Sequence, residues 1–326
     1  MIFIRSNGVN AECHMSDPTK DDNAQNWGNY WQGRAASESG AALVGVGVEN
    51  DAQIAAFWDR ILNQLPKTAS VLDLACGAGS VLRRAKVCGL TDLTGADISA
   101  DAITTLKAAF PDVRGVVTPA DAMSFDDGQF DIVASQFGFE YGDVLKAAAE
   151  AARITADGGA FVALAHIEGG AIETEVAGQL NDARAITDTA FIPLAKALFK
   201  VDMSGGSDAE FEAALSRFTP AQTALITIAK RTGGLAEHLY RGTQTLYQGR
   251  RGYALSDIDG WLDGMAAEIA AFTGRMDSMR SAALNEARAN AVLSVFKNAG
   301  METMPLEKLT LGADEIAWII RAKKTK

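Results

Sequence analysis

The sequence predicts an α/β fold: a seven-stranded, mainly parallel sheet closed by an antiparallel terminal hairpin, with a helical segment inserted before that hairpin. Three observations predict it. Short apolar runs alternate with helical stretches of about ten residues between residues 70 and 165, the signature of a parallel sheet. The alternation stops over residues 171–282, which carry almost no strand signal. Two strand-like runs, 301–311 and 315–322, are then separated only by Gly312-Ala313-Asp314, a spacing that forces an antiparallel pair.

The elements follow in order. Residues 1–26 are polar and irregular and read as a disordered extension; Met15-Ser16-Asp17-Pro18 looks like a natural start, with Met1 as the alternative. The aromatic segment Trp27-Gly28-Asn29-Tyr30-Trp31-Gln32-Gly33-Arg34 reads as an N-terminal flap. An amphipathic helix over 53–65 places Ile54, Phe57, Trp58, Ile61 and Leu65 on one face and stops at Pro66. Strands are expected at 71–74, 93–97, 113–117, 130–135 and 160–165. Helices are expected at 80–87, at 100–110 behind the N-cap Ser99, and at 144–154, closed by an Asp157-Gly158-Gly159 turn. The insertion reads as four to six helices broken by Pro193, Ser204-Gly205-Gly206, Pro220 and Gly233-Gly234. A last helix over 283–299 ends at Gly300. The domain plan is therefore a flap and binding core (27–170), a helical lid (171–282), and a last helix with terminal hairpin (283–326).

Composition narrows the function. The chain has 326 residues, 48% hydrophobic and 22% charged, enough for one large domain or two modest ones. No run approaches the roughly 20 apolar residues of a membrane span. Met1-Ile2-Phe3-Ile4-Arg5 is too short an apolar block for a signal peptide, so a cytoplasmic location is expected. Three cysteines and three histidines, widely spaced apart from Cys13-His14, form neither a disulfide framework nor a zinc pattern, and no metal is expected. The net charge of −11 argues against a nucleic-acid partner, which would draw on a basic patch. The run Arg321-Ala322-Lys323-Lys324-Thr325-Lys326 reads as a solvated tail.

The chemistry centres on Val71-Leu72-Asp73-Leu74-Ala75-Cys76-Gly77-Ala78-Gly79-Ser80, a buried strand that ends in a small-residue turn and leads into a helix. Gly77 and Gly79 carry no Cβ, so backbone there can approach a ligand closely. Such a corner binds nucleotide-like molecules at the carboxyl end of its strand. A dinucleotide site requires Gly-x-Gly-x-x-Gly. Neither possible start, Ala75 or Gly77, completes that set, because Ser80 or Leu82 stands at the third position. A phosphate loop is excluded because no Gly-Lys-Ser/Thr follows.

The run VLDLACGAGS resembles VLDLGCGTG, motif I of the class I S-adenosylmethionine (SAM) dependent methyltransferases, with Ala75 at the first glycine position. Three further segments agree with that family. Thr94-Gly95-Ala96-Asp97-Ile98-Ser99 matches its second strand, whose terminal acid, here Asp97, holds both ribose hydroxyls. A carboxylate suits that task because it accepts two hydrogen bonds at once. Asp121-Ala122-Met123 matches the adenine-binding segment, and Asp126-Asp127-Gly128-Gln129-Phe130-Asp131-Ile132-Val133 matches the entry to the fourth strand.

The resemblance covers about residues 68–168. It implies a Rossmann-like sheet, SAM as cofactor and a small-molecule methyl acceptor, with core motifs like those of the ubiquinone and menaquinone methyltransferases. It further implies roles for Asp73 near the methionine amino group, for Ala75, Gly77 and Gly79 in the turn, for Ile98 beside Asp97, and for Gln136 at the methionine end. Phe137 and Phe139 fit core or pocket equally, and Glu140 stands on the same ligand-facing edge. Tyr30, Trp31 and Arg34 would close over the cofactor, aromatic faces attracting the sulfonium and the guanidinium the carboxylate. His166, directly after the fifth strand, is the candidate general base. The helical insertion would select the acceptor; a homodimer is compatible with it. An NAD(P)-dependent oxidoreductase and a non-catalytic SAM-binding module are the competing readings.

Overall fold

The computed structural model describes residues 48–325. The expectations for the extension 1–26, for Cys13-His14 and for the flap with Tyr30, Trp31 and Arg34 lie outside the described residues.

The amphipathic stretch is helix α1, Val48–Leu62, with Ile54, Phe57, Trp58 and Leu62 buried. The alternating core follows as β1 (Ser70–Leu74), α2 (Ser80–Val87), β2 (Asp92–Asp97), α3 (Ala100–Ala109), β3 (Arg114–Val117), β4 (Phe130–Gln136), α4 (Val144–Ile154) and β5 (Thr155–Ala165). Capping sets the helix starts: the Ser99 side chain accepts from the Ala102 N–H at 3.2 Å, and Asp143 accepts from Lys146 at 3.1 Å. The expected turn at Asp157-Gly158-Gly159 does not interrupt the chain. It lies inside β5, where the register with β4 shifts between Phe130 and Ile132 and Gly158 takes a positive φ of 80°.

β1 to β5 are parallel, in the order β3-β2-β1-β4-β5. The order reverses between β1 and β4, so the two halves of the sheet part there at their carboxyl ends. After the insertion come α10 (Glu286–Asn298), β6 (Met301–Thr303), β7 (Glu307–Leu311) and β8 (Asp314–Lys324). Gly300, at φ 80°, ends α10 as expected.

The sequence read 301–311 as one strand. It is two, because Met304-Pro305-Leu306 interrupts it and Pro305 has no N–H for a ladder. β6 and β7 both pair antiparallel with β8, so the sheet has eight strands in seven positions along its width. The basic run is not a solvated tail either. Arg321, Ala322 and Lys323 lie in β8, which pairs antiparallel with β5; Arg321 faces Glu307, and Lys324 donates to the Thr155 carbonyl at 2.8 Å.

Side chains alternate across the sheet and build two cores. One face packs Val71, Ile132 and Leu164 against α1, α2 and α3. The other packs Leu72, Val133 and Phe161 against α4 and α10, with Phe161 stacked on Phe296 at 4.5 Å.

The insertion holds five α-helices, α5 (Ala171–Asp188), α6 (Phe191–Met203), α7 (Asp208–Thr232), α8 (Gly234–Gly249) and α9 (Leu255–Ala282), with a short 3-10 turn, Arg250–Gly252, between the last two. Pro220 does not break a helix as expected. It sits inside α7, between Phe218 and Ala221, whose burial in the insertion's own core holds the helix through the missing N–H. That core, which includes Phe191, Leu225, Leu239, Ile258 and Leu262, is separate from those of the sheet. Only the stem joins the larger core, through Ile172, Val176 and Leu180 of α5 and Met276 and Met279 of α9. Backbone bonds close the stem, because the Leu284 N–H donates to the His166 carbonyl at 2.8 Å and the Glu168 N–H to the Leu284 carbonyl at 3.1 Å. Among the described residues no helix is long and apolar enough to cross a membrane.

Candidate functional site

The turn after β1 lies at the switch point of the sheet. Ala75, Gly77 and Gly79 all have positive φ, at 55°, 50° and 84°. For the glycines that conformation carries little strain; for Ala75 it brings Cβ against backbone. Gly79 is also required by packing, because a Cβ there would come within 2.5 Å of Leu106 in α3. Cys76 turns inward onto Gly95, where a Cβ would lie 2.9 Å from its sulfur. The Cys76 N–H donates to the Ala96 carbonyl at 3.0 Å, which ties the turn to β2.

Asp97 ends β2 facing this turn. One carboxylate oxygen accepts from the Gly77 N–H and the other from the Ser99 N–H, both at 2.9 Å. The two amides fix the carboxylate plane and leave each oxygen with spare acceptor capacity. Asp97 and Asp73 are both buried. Burial raises the pKa of Asp97, opposed by the bonds from Ser99, Gly77 and Ile98. Burial and then the charge of Asp97 push Asp73 well above the usual carboxylate range, against the amides of Leu82 and Val81 at the start of α2. One carboxylate oxygen of Asp73 has no hydrogen-bond partner among the described residues. A buried orphan carboxylate oxygen favours a cationic or hydrogen-bond-donating ligand.

The β4 side of the crevice is held by Ser135, which the sequence did not single out. Its hydroxyl donates to the Leu74 carbonyl at 2.7 Å and accepts from the Phe139 N–H at 3.2 Å. Gln136 lies at the expected edge, with its side-chain oxygen accepting from the Trp58 indole N–H at 2.7 Å. Phe137 and Phe139 are both buried, Phe139 fully, and belong to the cores on opposite faces. Ile98 and Asp121 are half-buried and Ala122 is exposed. The Ala122 N–H makes a long bond, 3.4 Å, to the Pro119 carbonyl. Met123 points into the core, its N–H bonded to Glu150 at 2.8 Å and its carbonyl to Arg153 at 3.1 Å. Those commitments make it a strut of the segment after β3.

His166 leaves the end of β5 almost fully buried. Its Nδ1 lies 2.7 Å from Glu140 Oε1, and its backbone N–H donates to the same oxygen at 3.0 Å. Glu140 was placed on the edge by the sequence, but its pairing with His166 was not. The two lie 26 residues apart, each just beyond a strand end, and only adjacency of β4 and β5 joins them.

Residues 72–163 match the family model of the methyltransferase domain. The matched segment runs from β1 through most of β5, and so includes the turn, Asp97 and the β4 edge.

No curated protein matches the chain. Among solved structures it is similar to a chain of the complex between the Haloferax volcanii Trm112 methyltransferase activator and a methyltransferase, at 23% identity over 46% of this chain and 61% of that one, with a TM-score of 0.37. It is also similar to an S-adenosylmethionine dependent methyltransferase from Mesorhizobium loti, at 25% identity over 37% and 57%, TM-score 0.33. A SAM dependent methyltransferase from Aquifex aeolicus aligns over 82% of this chain and 89% of its own, at 10% identity and a TM-score of 0.41. The chain thus spans less than two thirds of the first two of these.

Proposed function

We propose that this chain is a SAM-dependent methyltransferase that transfers a methyl group to a small molecule in the cytoplasm. The observation that carries the reading is the Asp97 carboxylate, held by the Gly77 and Ser99 amides at the mouth of the Ala75–Gly79 turn with acceptor capacity to spare. A vicinal diol, which offers two hydroxyl donors, suits that carboxylate. The orphan oxygen of Asp73 suits the ammonium of an amino acid at the other end of the same molecule. Asp121 and Ala122 stand beyond β3, where an adenine ring would lie, and the motif likeness adds Tyr30 and Arg34 as closing groups.

When bound, SAM supplies a methyl group on a positively charged sulfur, already activated for displacement. The protein's task is then to align acceptor, carbon and sulfur and to exclude water. The buried turn and the two aspartates orient one end of the line. The insertion, tied to the sheet at Leu284 directly beside His166, stands where it can cover the acceptor and choose it. His166 is placed to take a proton from the acceptor. The quinone-methyltransferase-like core motifs support a small-molecule acceptor over a protein surface.

Calorimetry with SAM, S-adenosylhomocysteine, NAD and NADP tests the reading. Binding of the first two and not of the nucleotides is the expected result. Binding of NAD or NADP without SAM overturns it in favour of a dehydrogenase.

A further inference from the structure

Beyond the cofactor corner, the carboxyl edge of β4 and β5 holds a second buried polar pair. Glu140 is 0% exposed and His166 1%. Glu140 Oε1 takes both contacts from the histidine, the backbone N–H at 3.0 Å and Nδ1 at 2.7 Å. A carboxylate only accepts, so the ring hydrogen of the neutral imidazole belongs on Nδ1, and Nε2 carries the lone pair. Among the described residues Nε2 has no hydrogen-bond partner, and neither has Glu140 Oε2. The ring is flanked by Phe137 at 4.7 Å and Tyr141 at 6.0 Å, so Glu140 and Tyr141, both from the segment after β4, are ionisable groups that face it. A buried imidazole nitrogen with nothing to bind, beside a carboxylate that sets its tautomer, is the arrangement of a base and its orienting group.

We propose that Glu140 positions His166 as a general base, and that the atom methylated is the oxygen of a weakly acidic hydroxyl. The proposal rests on the methyltransferase reading. Its substrate class follows from which acceptors need a base. A neutral amine attacks through its own lone pair, and a thiol is already partly thiolate near neutral pH. A phenolic hydroxyl, with a pKa of about 10, is protonated there and must lose its proton. In the step, that proton passes to His166 Nε2. An electron pair of the oxygen forms the bond to the methyl carbon, and the carbon–sulfur bond breaks with its pair going to sulfur, which leaves as a neutral thioether. The imidazolium, stabilised by the Glu140 carboxylate, then releases the proton to solvent as product departs.

The test uses the full chain, as wild type, His166→Gln, Glu140→Gln and Glu140→Asp, with folding checked by circular dichroism and SAM affinity by calorimetry. Nitrogen-15 NMR of labelled histidine is expected to show His166 protonated on Nδ1 and free on Nε2 in the wild type. Glu140→Gln is expected to mix the two tautomers of His166, and Glu140→Asp to restore part of the Nδ1-protonated form. With labelled SAM, catechol, 2-naphthol and 4-methylumbelliferone are the hydroxyl probes, and benzylamine and thiophenol the amine and thiol probes. Hydroxyl probes are expected to turn over. Glu140→Gln and His166→Gln are expected to lower kcat about 100-fold with KM within about threefold and SAM affinity within about twofold.

An Nε2-protonated tautomer in the wild type, an unchanged tautomer in Glu140→Gln, an unchanged kcat in both His166→Gln and Glu140→Gln, or no turnover of any hydroxyl probe overturns the proposal while SAM binding stands. Failure of the wild type to bind SAM overturns it together with the reading beneath it.

Discussion

The Cβ of Ala75 occupies the space that a side chain at position 138 would need. A Cβ built on Gly138 comes within 2.5 Å of it and within 3.0 Å of the Ala75 carbonyl oxygen. Ala75 is the position where the motif usually has glycine, and its φ of 55° is left-handed. The extra methyl at the turn is thus accommodated by a missing one across the β1–β4 crevice.

Gly138→Ala is therefore expected to destabilise the protein by about 1–3 kcal/mol through overpacking. Ala75→Gly removes the opposing methyl and relieves the left-handed alanine, so it should be neutral to stabilising by about 1 kcal/mol. In the double variant the cost of Gly138→Ala should shrink. Urea unfolding of the four proteins measures the coupling; an equal cost of Gly138→Ala in both backgrounds would show that the two residues do not share this space.

Asp97→Ala is expected to weaken SAM binding by about 1–3 kcal/mol, since hydrogen bonds to a charged acceptor are lost and the Gly77 amide loses its anchor. Calorimetry measures it. Unchanged affinity would place the ribose elsewhere.

The buried aspartates give a pH dependence of defined sign. Asp73 has its pKa raised by burial and then by Asp97, so between its unfolded value near 3.9 and its higher folded value the native state holds more protons than the unfolded state. Stability from this group falls as pH rises through that window, and the penalty is absent below it. Without cofactor, Asp73→Asn should be more stable than wild type at neutral pH, with the advantage fading toward about pH 4. Unfolding at pH 4–8 checks this; a difference constant across that range would contradict it.

The insertion's separate core predicts separable effects. Leu262→Ala opens a cavity in a fully buried position and should cost about 2–5 kcal/mol within the insertion. SAM affinity should stay within about twofold, because Leu262 shares no core with the turn or Asp97. Hydrogen exchange should localise faster opening to α6–α9. A loss of SAM affinity matching the loss of stability would show that the insertion and the sheet unfold as one unit.

Much of the sheet was legible in the sequence because its signals are local. The run Val71–Leu74 places apolar residues on both faces, Val71 on one and Leu72 and Leu74 on the other, as a buried parallel strand does. Ser99 caps its own helix, and Gly300 ends another. Local signals also misled. Pro220 reads as a break but lies within α7, because tertiary burial of Phe218 and Ala221 outweighs one missing hydrogen bond. The basic C-terminal run reads as solvated, yet β8 buries Ala322 and pairs Arg321 with Glu307.

By itself, the sequence determined the alternation of strands and helices, the insertion and the small-residue turn after β1. Each depends on spacing within a few dozen residues. Only the tertiary structure brought Glu140 to His166, Ala75 to Gly138 and Trp58 to Gln136. Those pairs form because the sheet places β1, β4 and β5 side by side with their carboxyl ends on one edge. The packing of distant segments decides them, and no local spacing encodes it.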